Sequence, residues 1–489
     1  MQLNKRIISF FLSQAIFPAI LYGEVLSLHD ALNIYVYNTK YVKTKRLVFE
    51  NSLIKYDNFK KSLLPAFSLG LTPISFNHSM RLLQNSSTGE YNNVEEYSNT
   101  ILGGLNLIQK IPLTGGVFMV GSNLSFLNDY ANDKQSFSSA PIYFSYSQPL
   151  FGGGKSMSFE KTISKLKNDA AIKEFCTSLS TEQQKILDLY LEAYSNKMDI
   201  HFYSKIIDIG DSILMHTKVR KDVGKITEYD YNLIELQQTD NQMALEKSQY
   251  AYKSSIRLLE NELVLCDIEL GELAMTNFPV QIDEETVLNL AHKNNPLYHE
   301  LEVERLNAEL TLHTAKTNSR FNADISLNYG LNQYATSFKN AYHQPDKQQA
   351  ATITLNIPVF QWGITRNKLR IAQNEYNAML IEQEAAVNDF QKEVQDYVFD
   401  YNLSRRLIDV ANKKYHLSAQ QYLFASQKFK LGKMAAIELT NANKDLLQAK
   451  QNYLSVLKSL FISYYKIRHI ALYDFIERKD LLNLIQTSF

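Results

Sequence analysis

Only two cysteines occur in 489 residues, Cys176 and Cys266, which excludes a disulfide framework, a zinc ribbon and a lipid-anchored mature terminus. Two unpaired thiols are expected instead. Glycine and proline are also sparse, at 17 and 10, too few to punctuate the two or three ordinary domains that the length would allow. Long uninterrupted elements follow. Charge of either sign is not in excess, because 51 basic residues cancel 51 acidic ones. Nothing therefore argues for a nucleic-acid surface or a polyanionic partner. Past residue 23, no apolar run is long enough for a membrane-spanning helix. If the chain crosses a membrane, it does so with strands.

What is abundant is aromatic: 30 Tyr and 26 Phe are high for a helical protein and suit strands that face lipid. The chain starts Met1-Gln2-Leu3-Asn4-Lys5-Arg6, followed by an apolar run from Ile7 to Gly23 that Ser13, Gln14 and Pro18 interrupt. A basic start and a short apolar centre form the layout of a secretory signal peptide over 1–23, cut after Gly23.

The strongest pattern is a duplication. Gln148-Pro149-Leu150-Phe151-Gly152-Gly153-Gly154 and Ile357-Pro358-Val359-Phe360-Gln361-Trp362-Gly363 stand 209 positions apart (363 − 154), and each opens a long helical stretch. Asp222-Val223-Gly224-Lys225 and Lys430-Leu431-Gly432-Lys433 keep nearly that spacing, at 208 (432 − 224). Strand, helix, turn and return helix were copied as one unit. Each copy is introduced by a helix, Leu28 to Ser62 and Glu284 to Ser319, sharing Leu32-Asn33 and Leu288-Asn289. Here the offset is 256 (288 − 32), so the first half carries about 47 additional residues before its Pro-Leu-Phe corner.

After each opening helix the period changes to two. Phe321, Ala323, Ile325, Leu327, Tyr329 and Leu331 alternate with Asn322, Asp324, Ser326, Asn328, Gly330 and Asn332. Such a strand lies between oil and water. Its hairpin partner, Ala351 to Ile357, alternates likewise across the polar loop 335–347, and Pro65 to Phe76 and Ala140 to Phe151 are the first-half equivalents. Ile101 to Ile111 and Val117 to Phe126 flank Pro112-Leu113-Thr114-Gly115-Gly116 as a further hairpin, which either joins the sheet wall or decorates its rim. Isolated hairpins are marginal in water, whereas closure of several copies into a barrel removes every edge, as a bilayer demands.

The long helices, about Ser158 to Arg220 and Thr365 to Leu431, reach about 95 Å at 1.5 Å per residue. Each halts at one glycine and reverses into a second helix, Thr227 to Val264 and Met434 to Ile470. Two antiparallel helical hairpins with coiled-coil packing result.

Catalytic signatures are missing. Gly152-Gly153-Gly154-Lys155-Ser156 fails as a phosphate loop because Pro149 occupies the leading glycine position and the second copy lacks the lysine. His292, His299 and His313 share a helix with no carboxylate or cysteine at ligand spacing, so solvent-facing histidines are expected. No nucleophile elbow or Cys-His pair occurs. Neither enzyme activity nor a cofactor is expected. Glu228 and Asp230, beside a hairpin tip among lysines, suit an electrostatic or docking role.

The duplicated order of opening helix, strand hairpin, Pro-Leu-Phe-Gly corner, long helix, glycine tip and return helix resembles the TolC-like outer-membrane efflux proteins, from about Leu26 to Leu472. That resemblance implies a mainly helical fold with membrane β-strands: a homotrimer pooling hairpins into a twelve-stranded barrel in outer-membrane lipid, above a helical tunnel through the periplasm. The expected organisation is 24–265 as the first repeat, 266–283 as a connector, 284–472 as the second repeat and 473–489 as a tail. A passive export duct is implied, working with a periplasmic adaptor (membrane fusion protein) and an inner-membrane transporter, proton-driven or of ABC type, in drug export or type I secretion. By residue, the resemblance carries a periplasmic gate onto Asp230, Glu438, Glu228, Lys433 and Phe429, and adaptor contacts onto Val223, Gly224, Lys225, Leu431, Gly432 and Lys433. Phe429 replaces the family's usual tyrosine and Met434 its basic residue, so Lys430 or Lys433 would supply the closing contacts. General porins and secreted coiled-coil scaffolds or adhesins are the alternatives. Porins do not need two long helical hairpins, and a scaffold leaves the two-faced strands unexplained.

Overall fold

The computed structural model describes residues 25–84, 87–273, 278–357 and 359–483. The expected signal peptide, Pro358 of the second corner and the last residues of the tail lie outside them. In chain order the main elements are β1 (Val25–Leu26), α1 (Leu28–Asn33), α2 (Lys40–Lys61), β2 (Ala66–Gln84), β3 (Tyr91–Ile111), β4 (Gly116–Asp129), β5 (Lys134–Pro149), α3 (Gly153–Asp222) and α4 (Glu228–Leu263). Then come β6 (Glu269–Leu270), α5 (Glu284–Asn294), α6 (Leu297–Asn318), β7 (Asn322–Ala335), β8 (Asp346–Asn356), α7 (Ile364–Lys430) and α8 (Ala436–Ala471). Helices α3 and α7 have 70 and 67 residues.

Neither opening helix is continuous as expected. In the first copy, α1 ends at Asn33, a 3₁₀ turn covers Tyr35–Asn38, and Thr39 restarts the helix by accepting the Val42 N–H on its hydroxyl at 3.2 Å. In the second, the break is Asn295-Pro296, since proline lacks an N–H and pushes the residue before it into extended backbone. Asn294 and Asn295 are buried there. Their amides donate to the carbonyls of Ala471 and Ile470 at 3.2 and 3.0 Å, satisfying the otherwise unpaired C-terminus of α8.

The chain divides into two compact units, each drawing segments from both repeats. Of the described residues, the first holds those up to 51, those in 170–298 and those from 385 to 483; the second holds those in 52–169 and 299–384. In the first unit Ile186, Leu187, Tyr190, Leu259, Leu263, Tyr401 and Tyr464 are fully buried in one helical core. The Tyr190 hydroxyl donates to the Leu26 carbonyl at 3.0 Å, beside the parallel pairing of β1 with β6. Lys450 and Asp199 form an ion pair within this unit, with the ammonium 4.2 Å from the Phe202 ring centre. Both cysteines are free; Cys176 is buried, which pushes its thiol up to about 12, and Cys266 is exposed.

The second unit is built on one six-stranded antiparallel sheet of order β2-β3-β4-β5-β7-β8. The additional first-half hairpin lies inside it: fourteen consecutive pairs, Ser98 with Asp129 through Ile111 with Gly116, join β3 to β4. Register makes the faces explicit. Phe67, Leu107, Val120, Phe144 and Tyr329 form one row across five strands that ends at Gln349. One residue along, on the opposite face, the row reads Ser68, Asn106, Gly121, Tyr143, Gly330 and Gln348. Because successive side chains point to opposite faces, these rows set a mainly apolar surface against a more polar one. Two bulges bend the sheet, at Pro73-Ile74 opposite Ile101 and around Pro141 in β5. Proline cannot donate to a ladder, and an extra residue removes the demand.

The glycine-rich corner has a packing reason. The turn between β3 and β4 sits against it, so that a Cβ on Gly154 would stand 2.5 Å from the Leu113 carbonyl oxygen, and one on Gly115 2.5 Å from the Gly153 carbonyl carbon. At the second corner nothing approaches Gly363. Gln361 and Trp362 are tolerated where the first copy needs glycine.

Candidate functional site

The ends of the helical hairpins carry most residues that the sequence singles out. Both long helices close with the same device. Gly224 and Gly432 adopt left-handed φ of 72° and 74°. The Lys225 N–H reaches the Arg220 carbonyl at 2.8 Å, and the Lys433 N–H reaches the Lys428 carbonyl at 2.9 Å. These bonds satisfy the last helical carbonyls, and only glycine takes such a φ without steric cost.

Three residues past each turn, the return helix starts with a cap. Thr227 accepts the Asp230 N–H at 3.1 Å while donating its hydroxyl to the Asp230 carboxylate at 2.8 Å. In the other copy Ala435 has no side-chain oxygen, but the Glu438 carboxylate takes the Ala435 N–H at 3.0 Å. Asp230 and Glu438 are thus equivalent third residues of α4 and α8, placed where a helix dipole favours negative charge. Glu228 is the first residue of α4 and exposed.

Phe429 is buried, at 2 % exposure, in a tip core with Phe202, Ile206, Ile213, Ile234, Tyr422 and Leu439. Arg220, which sequence reasoning did not single out, joins the two tips. Its Nη1 donates to the Phe429 carbonyl at 2.9 Å, and its guanidinium lies 5.7 Å from the Phe429 ring centre. That carbonyl also accepts the Gly432 N–H at 2.9 Å. A Cβ on Gly432 would meet the Arg220 Nη2 at 3.2 Å, so this glycine serves both the turn and the bridge. The duplication offset gave a hint, since position 220 answers Lys428 and both are basic.

Lys430 donates to the Ser212 hydroxyl at 2.8 Å, and Lys221 stands 4.1 Å from the Tyr231 ring centre. Val223 and Leu431 are exposed at the two turns, with Lys225 and Lys433 beside them. Among the described residues, no ion pair forms within one chain between a tip lysine and Asp230 or Glu438. Between α7 and α8, next to the tip, runs a groove of about 630 Å³ lined by Leu417, Gln421, Phe424, Lys428, Met434, Glu438 and Asp445.

Elsewhere the histidines stay apart. The His292 ring centre lies 4.4 Å from that of Tyr298, and His313 lies 6.2 Å from Phe159. Among the described residues no group of three His, Cys, Asp or Glu side chains could hold a metal ion, and no helix is long and apolar enough to cross a membrane.

Residues 287–471 match the family model described as outer membrane efflux protein. Across the whole chain the fold is similar to that of a membrane protein from Pseudomonas aeruginosa, at 12 % identity and a TM-score of 0.66, covering 91 % of this chain and 90 % of that one. The CmeC outer membrane channel of Campylobacter jejuni aligns at 14 % identity and a TM-score of 0.66, covering 94 % and 89 %. The outer membrane protein VceC of Vibrio cholerae aligns at 12 % and 0.65, covering 91 % and 95 %. No curated protein matches at the level of sequence. The chain has the fold of outer-membrane channels. Residues 287–471 of the second repeat are similar to the outer membrane efflux protein family, and the fold over most of the chain is similar to that of these solved channels.

Proposed function

We propose that this protein is the outer-membrane channel of a tripartite export system: a passive trimeric duct fed by an inner-membrane pump through a periplasmic adaptor. One observation carries the reading. The sheet separates an apolar from a polar face, and on a single chain the apolar face stands in the open, with Phe67 at 82 % and Ile353 at 65 % exposure. Leaving such side chains in water forgoes about 1.5–3 kcal/mol each. Lipid against one face and a water-filled lumen against the other remove the conflict, provided that the sheet closes on further copies. Helices of 70 and 67 residues supply the periplasmic part, as no compact soluble domain requires.

The same reading assigns the hairpin ends. Val223, Gly224, Lys225, Leu431, Gly432 and Lys433 form the docking tips for the adaptor, and the groove beside Met434 offers apolar, amide and charged groups to a helical partner. Asp230, Glu438 and Glu228 put carboxylates at the same level, where a ring from three chains would form the constriction, with Phe429 and Lys433 behind it. The test is the mass of the purified full chain. A stable trimer that needs detergent supports the duct, whereas a monomer soluble without detergent contradicts it and favours a secreted scaffold.

A further inference from the structure

We infer that each copy contributes six strands to the membrane wall, with β2 of one copy pairing with β8 of the next, so that three copies close an eighteen-stranded barrel. The inference rests on the duct reading for its three copies; the strand number comes from the sheet itself. In place of the four strands per chain implied by the family resemblance, six are hydrogen-bonded in one sheet with β2 and β8 as its edges.

Three features keep the additional pair in the wall. First, the two faces reach into it at the level of one row: Phe67 and Leu107 extend the apolar row of Val120, Phe144 and Tyr329, while Ser68 and Asn106 extend the polar row of Gly121 and Tyr143. A rim ornament surrounded by water would have no reason to keep that division. Second, β3 occupies the whole edge of β4 through fourteen pairs. A four-strand contribution would have to strip β3 away to free β4. Third, the β3–β4 turn is seated on Gly153 and Gly154 at the corner where the wall meets its helix, in the close approach that those glycines permit. Beyond Pro73 the β2–β3 hairpin changes character, with Arg81 paired to Glu96 at 2.7 Å and His78 to Glu95 at 2.8 Å. That end stands in water above the lipid band.

The edges suit each other. Six is even, so β2 and β8 run in opposite directions and meet as an antiparallel pair when a second copy is placed beside the first. Contact between two different edges repeats from copy to copy and closes as a ring. Leu69 and Leu71 on β2 and Ile353 and Leu355 on β8, all exposed in one chain, continue the apolar face across the joint. Barrel diameter grows roughly in proportion to strand number, so the lumen is about half as wide again as that of a twelve-stranded wall.

Cysteine crosslinking in detergent tests the joint. In a Cys266→Ala background, with the buried Cys176 retained, Ser68→Cys on β2 is combined in turn with Gln348→Cys, Ala350→Cys and Thr352→Cys on β8. Asn123→Cys on β4 is combined with the same three. Oxidised trimers joined through β2 and β8 in at least one register, and none through β4, are expected. Trimers that crosslink through β4, or that form without any β2–β8 link, overturn the inference and leave the duct standing. Absence of trimers in the wild-type chain by light scattering overturns the duct reading itself. Where a variant does not fold, images of the wild-type trimer decide: eighteen strands support the wall and twelve contradict it.

Discussion

Arg220 shows how one side chain joins the tips of two hairpins. Its planar guanidinium donates to the Phe429 carbonyl and lies over the Phe429 ring, holding both contacts in a fixed fork geometry that a lysine ammonium does not reproduce. Arg220→Ala should loosen the tips and raise single-channel conductance several-fold, and Arg220→Lys should restore little of the closure; wild-type conductance in both would remove Arg220 from the gate. Asp230 and Glu438 each cap their own helix, and the constriction proposed for them would form only between copies. Asp230→Ala combined with Glu438→Ala should increase conductance and weaken cation preference, and an unchanged current would leave the carboxylates as caps alone. His469 adds a pH dependence to the helical unit. Burial holds its imidazole below the ordinary 6.5, and among the described residues Nδ1 has no hydrogen-bond partner. The unfolded chain therefore binds a proton that the fold refuses, so stability is complete above about pH 6.5 and falls as pH drops below it. Denaturant melts of His469→Gln between pH 7.5 and 5 should show a flatter dependence than wild type; identical slopes would exclude this histidine.

Among the elements, those marked by one local residue were legible in sequence. The long helices end where Gly224 and Gly432 take left-handed backbone, within a residue or two of the expected positions, because a glycine after a helix has a specific steric use. Strands β7 and β8 were legible through strict alternation between two environments. The opening helices were misread as continuous. Pro296 was an available signal for the second break, but the first rests on Thr39, whose capping role depends on a 3₁₀ turn that periodicity does not reveal. The place of the β3–β4 hairpin was not legible either, since pairing with β2 and β5 is a non-local choice that alternation does not encode. The corner glycines held the clue, yet their reason is a turn about forty residues earlier in the chain. Arg220 was missed for the same cause: its partner is the carbonyl of Phe429, 209 residues away. Under the proposed duct, the equivalent turns of the two repeats are the docking elements. Lys225→Glu with Lys433→Glu should preserve the fold, because neither side chain is needed for the turn, and should lower crosslinking to the adaptor at least tenfold; undiminished crosslinking would confine these residues to chain reversal.

For the whole molecule, duplication supplies two helical hairpins, while the first repeat gives four strands to the sheet and the second gives two. The copies have diverged in the sheet more than at the tips. Segments of both repeats enter each compact unit, so neither repeat is a unit by itself. The sheet keeps two open edges and an exposed apolar face that one chain cannot satisfy, and for that reason the proposed function places it in an assembly of copies. Reconstitution of the purified full chain into a planar lipid bilayer tests this most directly. Discrete, long-lived current steps from a trimeric preparation, without ATP or a proton gradient, are expected of a passive water-filled duct. A preparation that remains monomeric and leaves the bilayer silent would contradict it.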